Sequence, residues 1–331
     1  MSALLEVQNL RVEIAARTRT LVAIDDVSFS IAAGEILGMV GESGAGKSVT
    51  GTAILGLLEH PAYLASGRIL FAGARIDDLR GEKMRALRGR HIAAVFQDPL
   101  TSLDPLMTIG QQLVETMLTH LPQPHLQAVA RAEQLLAEVG IPAPRERLDS
   151  YPHELSGGMR QRVVLALAFC CEPRLIIADE PTTALDVSIQ AQVLDLLKRM
   201  CRERGTAVML VTHDMGVIAE TADRVAVMYA GRLVEIGPTA ELLRAAVHPY
   251  SRGLMASIPT MRRRRDDDLL HIPGSMPRPD APVAGCAFHP RCPQVMARCL
   301  TERPPLVAAG PARAACWLAE DFAPTSPEGR A

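Results

Sequence analysis

The stretch Gly41-Glu42-Ser43-Gly44-Ala45-Gly46-Lys47-Ser48 constrains this chain more than any other. It matches the spacing G-x-x-x-x-G-K-[ST], follows the apolar run EILGMVG, and opens a segment with helical patterning from Lys47 to Leu58. Glycines at such a corner let backbone N–H groups converge on an anion, and the helix N-terminus adds positive potential. In that setting Lys47 spans the β- and γ-phosphates and Ser48 ligates Mg²⁺. Lysine is scarce here: Lys47, Lys83 and Lys198 are the only three among 35 basic residues. A lysine inside the loop therefore carries information, and the loop predicts a nucleotide site.

Composition removes several other classes. The 331 residues are 48% hydrophobic and 22% charged with a net charge of −2, a globular balance without the basic excess of a dedicated nucleic-acid binder. Apolar runs stop short of the ~18 residues that a spanning helix needs. The richest, from Val163 to Ala178, is broken by Glu172, Pro173 and Arg174. MSALLEVQNLRVEI alternates apolar and polar residues and reads as a first strand rather than a secretion signal, which predicts a cytoplasmic chain.

The alternation of short apolar runs with helical patterns predicts an α/β fold with a parallel sheet. Strands are expected in LLEVQNLRVEI, LVAIDDVSFSI, EILGMVG, RLIIADE, AVMLVTHD and RVAVMYAGRLVEIG, and helices in MTIGQQLVETMLTH, LQAVARAEQLLAEVG and SIQAQVLDLLKRMCRERG. Residues 97–165 read as an inserted helical lobe. After Tyr250 the composition turns to Pro and Arg, and RRRRDDD (262–268) reads as a solvated linker, giving expected domains 1–250 and 251–331.

Four further motifs carry chemistry. Leu175-Ile176-Ile177-Ala178-Asp179-Glu180 is a buried-strand run ending in two carboxylates, in which Asp179 suits Mg²⁺ and Glu180 suits a general base acting on water. Leu155-Ser156-Gly157-Gly158-Met159-Arg160-Gln161 starts a helix with a serine and two glycines, a second anion-facing loop where one phosphate chain needs only one. Gln97 in VFQDP and His213 in LVTHD stand at the ends of apolar runs.

In this order and spacing the motifs resemble those of the ATP-binding-cassette (ABC) ATPases. The resemblance implies an α/β P-loop NTPase core with an antiparallel β subdomain, an inserted helical subdomain and a small Cys-containing C-terminal extension. It also implies ATP with Mg²⁺ held by Ser48, Gln97 and Asp179. Leu155, Ser156, Gly157, Gly158 and Gln161 would form the signature that closes over the γ-phosphate bound by the opposite subunit. Gln97 would be the Q-loop residue, Ala184-Leu185-Asp186 the D-loop, and His213 the switch histidine contacting the γ-phosphate. Family members usually stack an early aromatic ring on adenine. The first aromatic here is Phe29, read as a core residue, and Ile14, Arg17 and Arg19 stand around the expected place.

The tail resembles the C-terminal extension of oligopeptide/dipeptide importer ATPases, through HPYSRGL (248–254), SIP, IPG and Gly285-Cys286-x-Phe288-x-Pro290-Arg291-Cys292-Pro293. This implies a peripheral subunit on the cytoplasmic face of the membrane, paired with a second ATPase subunit in a homo- or heterodimer. Its further partners would be two transmembrane permeases and, indirectly, an extracytoplasmic solute-binding protein, with no nucleic acid. Nickel, glutathione and murein-peptide importers share the tail, and a soluble non-transport ABC ATPase and a P-loop binding module without turnover are the further alternatives. Cys286, Cys292, Cys299 and Cys316 crowd the last fifth of the chain on a Pro-rich segment. They are expected to hold a metal centre: zinc favours close C-x₂₋₄-C pairs, which are absent, and importer ATPases with this tail include members with a [4Fe–4S] cluster. Free thiols, zinc and disulfides are the alternatives, the last disfavoured in a reducing compartment.

Overall fold

The computed structural model describes residues 3–17, 19–183, 186–257 and 272–322; the charged run 262–268 and D-loop residues Ala184 and Leu185 lie outside them. The chain divides into two compact units. One comprises residues 1–6, 30–36 and 70–211, and the other residues 7–29, 37–69 and 212–331.

In the first unit three parallel strands lie side by side. Leu175–Asp179 pairs with Ile92–Val95 from Ile92↔Leu175 to Val95↔Ala178, and with Ala207–Val211 from Leu175↔Ala207 to Asp179↔Val211. Ala207–Val211 is buried at every position and Leu175–Asp179 at all but its last, so both read as continuous apolar runs rather than alternating ones. The register places Asp179 at the carboxyl end of its strand, the edge where ligands bind in open α/β sheets.

This unit also carries helices. Ile109–His120 starts at a capping box, in which Thr108 accepts from Gln111 N–H while the Gln111 side chain accepts from Thr108 N–H. His125–Glu138 follows, burying Ala128, Ala132, Leu135 and Leu136 at three- and four-residue spacing. Glu138 accepts from both Arg131 and Arg204, tying this helix to the end of Val187–Arg204.

The second unit carries the strand Ile36–Val40 from Leu37 onward. It pairs in parallel with Arg224–Tyr229, from Leu37↔Arg224 to Val40↔Val227. RVAVMYAGRLVEIG divides into that strand and an antiparallel partner, Arg232–Pro238. Ala230 (φ 48°) and Gly231 (φ 76°) form the two-residue turn between them, a left-handed pair whose twist suits a tight hairpin. In a separate sheet, Ala3–Ala15 lies between Thr20–Ala32 and Ala62–Phe71, and Phe29 is buried as expected.

The tail adds two short strands. Ala312–Ala314 pairs antiparallel with Arg232–Pro238 through Glu235↔Ala314 and Ile236↔Arg313, and Val307–Ala309 pairs with it in turn. Val247, Ala309, Ala314 and Ala319 form a small buried cluster beneath them. Strands of three residues are too short to show an alternation of their own, so their sequence carried no period to read.

Glu235 secures the junction before the tail. It is completely buried, and its Oε1 and Oε2 accept from Val247 N–H (2.7 Å) and His248 N–H (3.0 Å). Burial raises its pKa, against the lowering effect of those donors. Its contribution to stability is therefore full below the ordinary carboxylate pKa and falls as pH rises through the raised value. Glu235→Ala strands two buried N–H donors at roughly 1–3 kcal/mol each. A fall of about 2–6 kcal/mol in unfolding free energy by urea titration is expected, and an unchanged midpoint would contradict this role.

Candidate nucleotide-binding and hydrolysis site

The phosphate loop is built by backbone that side chains cannot occupy. Gly41 lies at φ 150°, and a Cβ there would sit 2.2 Å from the carbonyl oxygen of Met228. Gly46 (φ 105°) precedes the helix Lys47–Ile54 and would meet Ile24 Cδ1 at 2.5 Å. That helix has no side-chain cap and no acidic residue in its first turn, the setting in which the N–H groups and dipole of a helix N-terminus favour an anion. Lys47 is 6% exposed, and its Nζ donates to the carbonyl oxygens of Gly41 (2.8 Å) and Glu42 (3.0 Å), folding the loop around the ammonium. Ala45 is buried, whereas Ser43, Gly44 and Ser48 are exposed. The hairpin turn supports the loop from behind, with Gly231 N–H donating to Ala45 O at 3.0 Å.

His213 lies in the same unit, exposed, next to the helix Met215–Thr221. Asp214 caps that helix by accepting from Gly216 N–H (2.7 Å) and Val217 N–H (3.3 Å), which fixes the backbone that presents the imidazole.

In the other unit the structure brings Gln97 and Glu180 together. Glu180 Oε2 accepts from Gln97 Nε2 (3.2 Å) and from Thr183 Oγ1 (2.9 Å), and its N–H donates to Val211 O (2.8 Å). Its φ is 47°, left-handed for a residue with a side chain, a conformation that costs of order 1–3 kcal/mol and persists only where its surroundings fix it. The carboxylate is thus turned off the line of its strand and steered by an amide and a hydroxyl. Asp179, one residue earlier, is half-buried at the strand end.

Ser156 caps the helix Gly157–Phe169, its hydroxyl accepting from Met159 N–H at 3.4 Å. Ser156 and Gly157 are exposed, while Leu155 is buried. A Cβ on Gly158 would come within 2.8 Å of Ile189 Cγ2. Gln161 differs from its neighbours: it is 1% exposed, and its Nε2 has no hydrogen-bond partner among the described residues. Asp186 stands at the start of Val187–Arg204 without capping it.

Residues 24–183 match the family model for the ABC transporter, and residues 234–299 match that for the oligopeptide/dipeptide transporter C-terminal region. The chain is 43% identical over 327 residues to the oligopeptide transport ATP-binding protein AppD of Bacillus subtilis, covering 97% of this chain and 98% of that one. This protein belongs to the ABC transporter ATP-binding family. It is also 47% identical over 300 residues to the dipeptide transport ATP-binding protein DppD of Bacillus subtilis, covering 90% and 89%. The dimeric post-hydrolysis structure of the ATP-binding cassette MJ0796, bound to ADP and Pi, superposes with a TM-score of 0.64 at 26% identity, over 71% of this chain and 98% of that one. The fold is that of an ABC ATPase, and the enzyme is an ATPase of that family.

The metal centre expected in the tail finds little support. The four thiols lie close enough that Cys286, Cys292 and Cys299 each help to raise the pKa of Cys316, which burial chiefly pushes up to about 11. Yet no group of three or more His, Cys, Asp or Glu side chains among the described residues is arranged to hold a metal ion. Sulfur is the right donor for iron or zinc, and the four thiols lie near one another without forming such a group. Cys299 is buried and the other three are half-buried.

Around the expected adenine position, Arg19 is engaged by the tail, donating to Asp280 Oδ2 (2.9 Å) and Asp280 O (2.8 Å). Two residues at the phosphate loop escaped sequence reasoning. Tyr250 OH accepts from Glu42 N–H at 2.8 Å, and Arg291 pairs with the Glu42 carboxylate. They stand 208 and 249 positions from Glu42, far outside the span of any local motif.

The steering of Glu180 gives a direct expectation. Glu180→Gln keeps the size and the hydrogen bonds of the side chain but cannot accept a proton from water. Steady-state phosphate release should fall about 10²–10⁴-fold with MgATP binding retained; turnover at the wild-type rate would remove Glu180 from the chemistry.

Proposed function

We propose that this ATPase is the motor subunit of an importer for di- or oligopeptides, working as one of a pair of ATPase subunits beneath two membrane-spanning permeases. The observation that carries the reading is the presence in one chain of two anion-facing loops, 41–48 and 155–161, together with a tail of the oligopeptide/dipeptide type. Relatives named for oligopeptide and dipeptide transport support the substrate class.

In this mechanism the backbone of 41–48 and Lys47 bind the phosphates. Ser48, Gln97 and Asp179 offer the oxygen donors that Mg²⁺ prefers, and the ion, when bound with ATP, neutralises phosphate charge. Glu180 takes the proton from the attacking water, with Gln97 and Thr183 holding its carboxylate. His213 contacts the γ-phosphate, Asp186 belongs to the loop between subunits, and Ser156 and Gly157 offer hydroxyl and N–H groups to the nucleotide of the opposite subunit. The subunit in this reading sits peripherally on the cytoplasmic face of the membrane, against its permeases; no described helix is long and apolar enough to cross a membrane. A solute-binding protein that delivers peptide to the permeases completes the proposed assembly.

The finer expectation for the tail, a [4Fe–4S] cluster or zinc, has in its favour only the mutual proximity of the four thiols, and iron, sulfide and zinc analysis of anaerobically purified protein decides it.

Gln97 joins two tasks in this reading, contact with Glu180 and communication with the permease. In proteoliposomes holding the whole transporter, Gln97→Ala should abolish ATP-driven peptide uptake while MgATP binding stays intact. Wild-type uptake by this variant would dismiss the coupling role, and absence of any peptide uptake by the wild-type assembly would overturn the substrate class.

A further inference from the structure

Glu42 is the one acidic side chain within the phosphate loop 41–48, an awkward group to place beside a polyphosphate. Its whole peptide unit is engaged. The N–H donates to Tyr250 OH, the carbonyl accepts from Lys47 Nζ, and both carboxylate oxygens accept from Arg291. Arg291 Nη1 reaches Oε2 and Nη2 reaches Oε1, each at 2.9 Å, the parallel two-bond geometry in which a guanidinium holds a carboxylate most firmly.

The guanidinium is built in from every side. Nε donates to Pro273 O (2.8 Å), Nη2 also to Ile272 O (3.2 Å), and Nη1 also to Tyr229 OH (3.3 Å), so all five of its N–H groups have acceptors. Its central carbon lies 5.8 Å and 5.9 Å from the ring centres of Tyr229 and Phe288. The Arg291 side chain is 6% exposed against 30% for Glu42. A surface ion pair contributes little because water screens it, but here one partner is fixed and withdrawn from solvent. An arginine so completely satisfied has one geometry available, and the carboxylate it grips has one as well.

We propose that Arg291 is a positioning residue for ATP binding: it neutralises the Glu42 carboxylate and holds it off the phosphate loop, so that the loop meets a polyphosphate as a cationic cradle. This rests on the reading of residues 41–48 as the phosphate site. The C-terminal region thereby sets nucleotide affinity through one ion pair. Without Arg291 the carboxylate is released into a loop whose only cation, Lys47, is then opposed by an anion of the same loop.

A purely mechanical staple, holding tail to loop, makes a different prediction, and removing the acid separates the two. MgATP affinity is measured by isothermal calorimetry, with kcat and KM from phosphate release, for wild type, Arg291→Ala and the double variant Arg291→Ala with Glu42→Gln. Loss of the arginine should weaken MgATP binding about tenfold and raise KM alike, with kcat at saturating ATP within about threefold of wild type. The double variant should return to within about threefold of wild-type affinity, because the unshielded charge is gone. Unweakened binding by Arg291→Ala, or a double variant no tighter than the single one, overturns the proposal. Thermal melts accompany each protein, and Arg291→Gln, which keeps hydrogen bonding without charge, repeats the comparison if the alanine variant does not fold. Failure of the wild type itself to bind MgATP would instead overturn the phosphate-loop reading.

Discussion

Met228 O stands 2.2 Å from the place where a Cβ on Gly41 would fall, and much of the nucleotide site follows from that close approach. The strand Ile36–Val40 runs parallel to Arg224–Tyr229 and ends beside it, so the chain leaving Val40 must turn within touching distance of its neighbour's backbone. Only a residue without a side chain can make that turn at φ 150°. Once the turn is made, Lys47 folds back onto the carbonyls of Gly41 and Glu42, and the helix Lys47–Ile54 begins directly after Gly46.

The hairpin behind the loop extends the same constraint. Gly231 donates to Ala45 O and accepts from Asp25 N–H, so the turn Ala230-Gly231 supports both the loop and the strand Thr20–Ala32. Arg232, next in sequence, pairs with Asp25. Tyr229, the last residue of the strand before the turn, packs edge-on against Tyr250 and Phe288, with ring centres 4.6 Å and 5.3 Å apart. These aromatic contacts carry the C-terminal region up to Glu42, where Tyr250 and Arg291 meet the loop. Glu235, buried beneath, anchors Val247 and His248 and so the start of the helix that presents Tyr250.

What could be read in the sequence was what depends on local spacing. The phosphate loop, the strand ending in Asp179 and the serine cap at Ser156 each state their geometry within eight residues, and the structure forms each as expected. The helices Ile109–His120 and His125–Glu138 were legible because their apolar residues repeat at helical spacing. Ala230 was not legible as a turn residue, since alanine gives no signal for φ 48°; the tight hairpin is imposed by the pairing on either side. Nor was Glu180 φ 47° foreseeable, because the bond from its N–H to Val211 O joins strands more than thirty residues apart in sequence. The tail strands were hidden by their length, and the ion pair of Arg291 with Glu42 by a separation of 249 residues. For the tail thiols, four cysteines in a short stretch suggested a metal centre, and no group of three or more ligands is arranged for one among the described residues.

Equilibrium titration of the protein with MgATP, beside Lys47→Ala, tests most directly whether loop 41–48 holds the nucleotide phosphates. The ammonium is the one cationic side chain of the loop, and a charge-assisted contact with phosphate is worth about 1.5–3 kcal/mol, or roughly one to two orders of magnitude in affinity. Saturable binding of one nucleotide per chain by the wild type, weakened at least tenfold in Lys47→Ala at unchanged thermal stability, is the predicted result. Equal affinity in the two proteins would place the phosphates elsewhere and contradict the account.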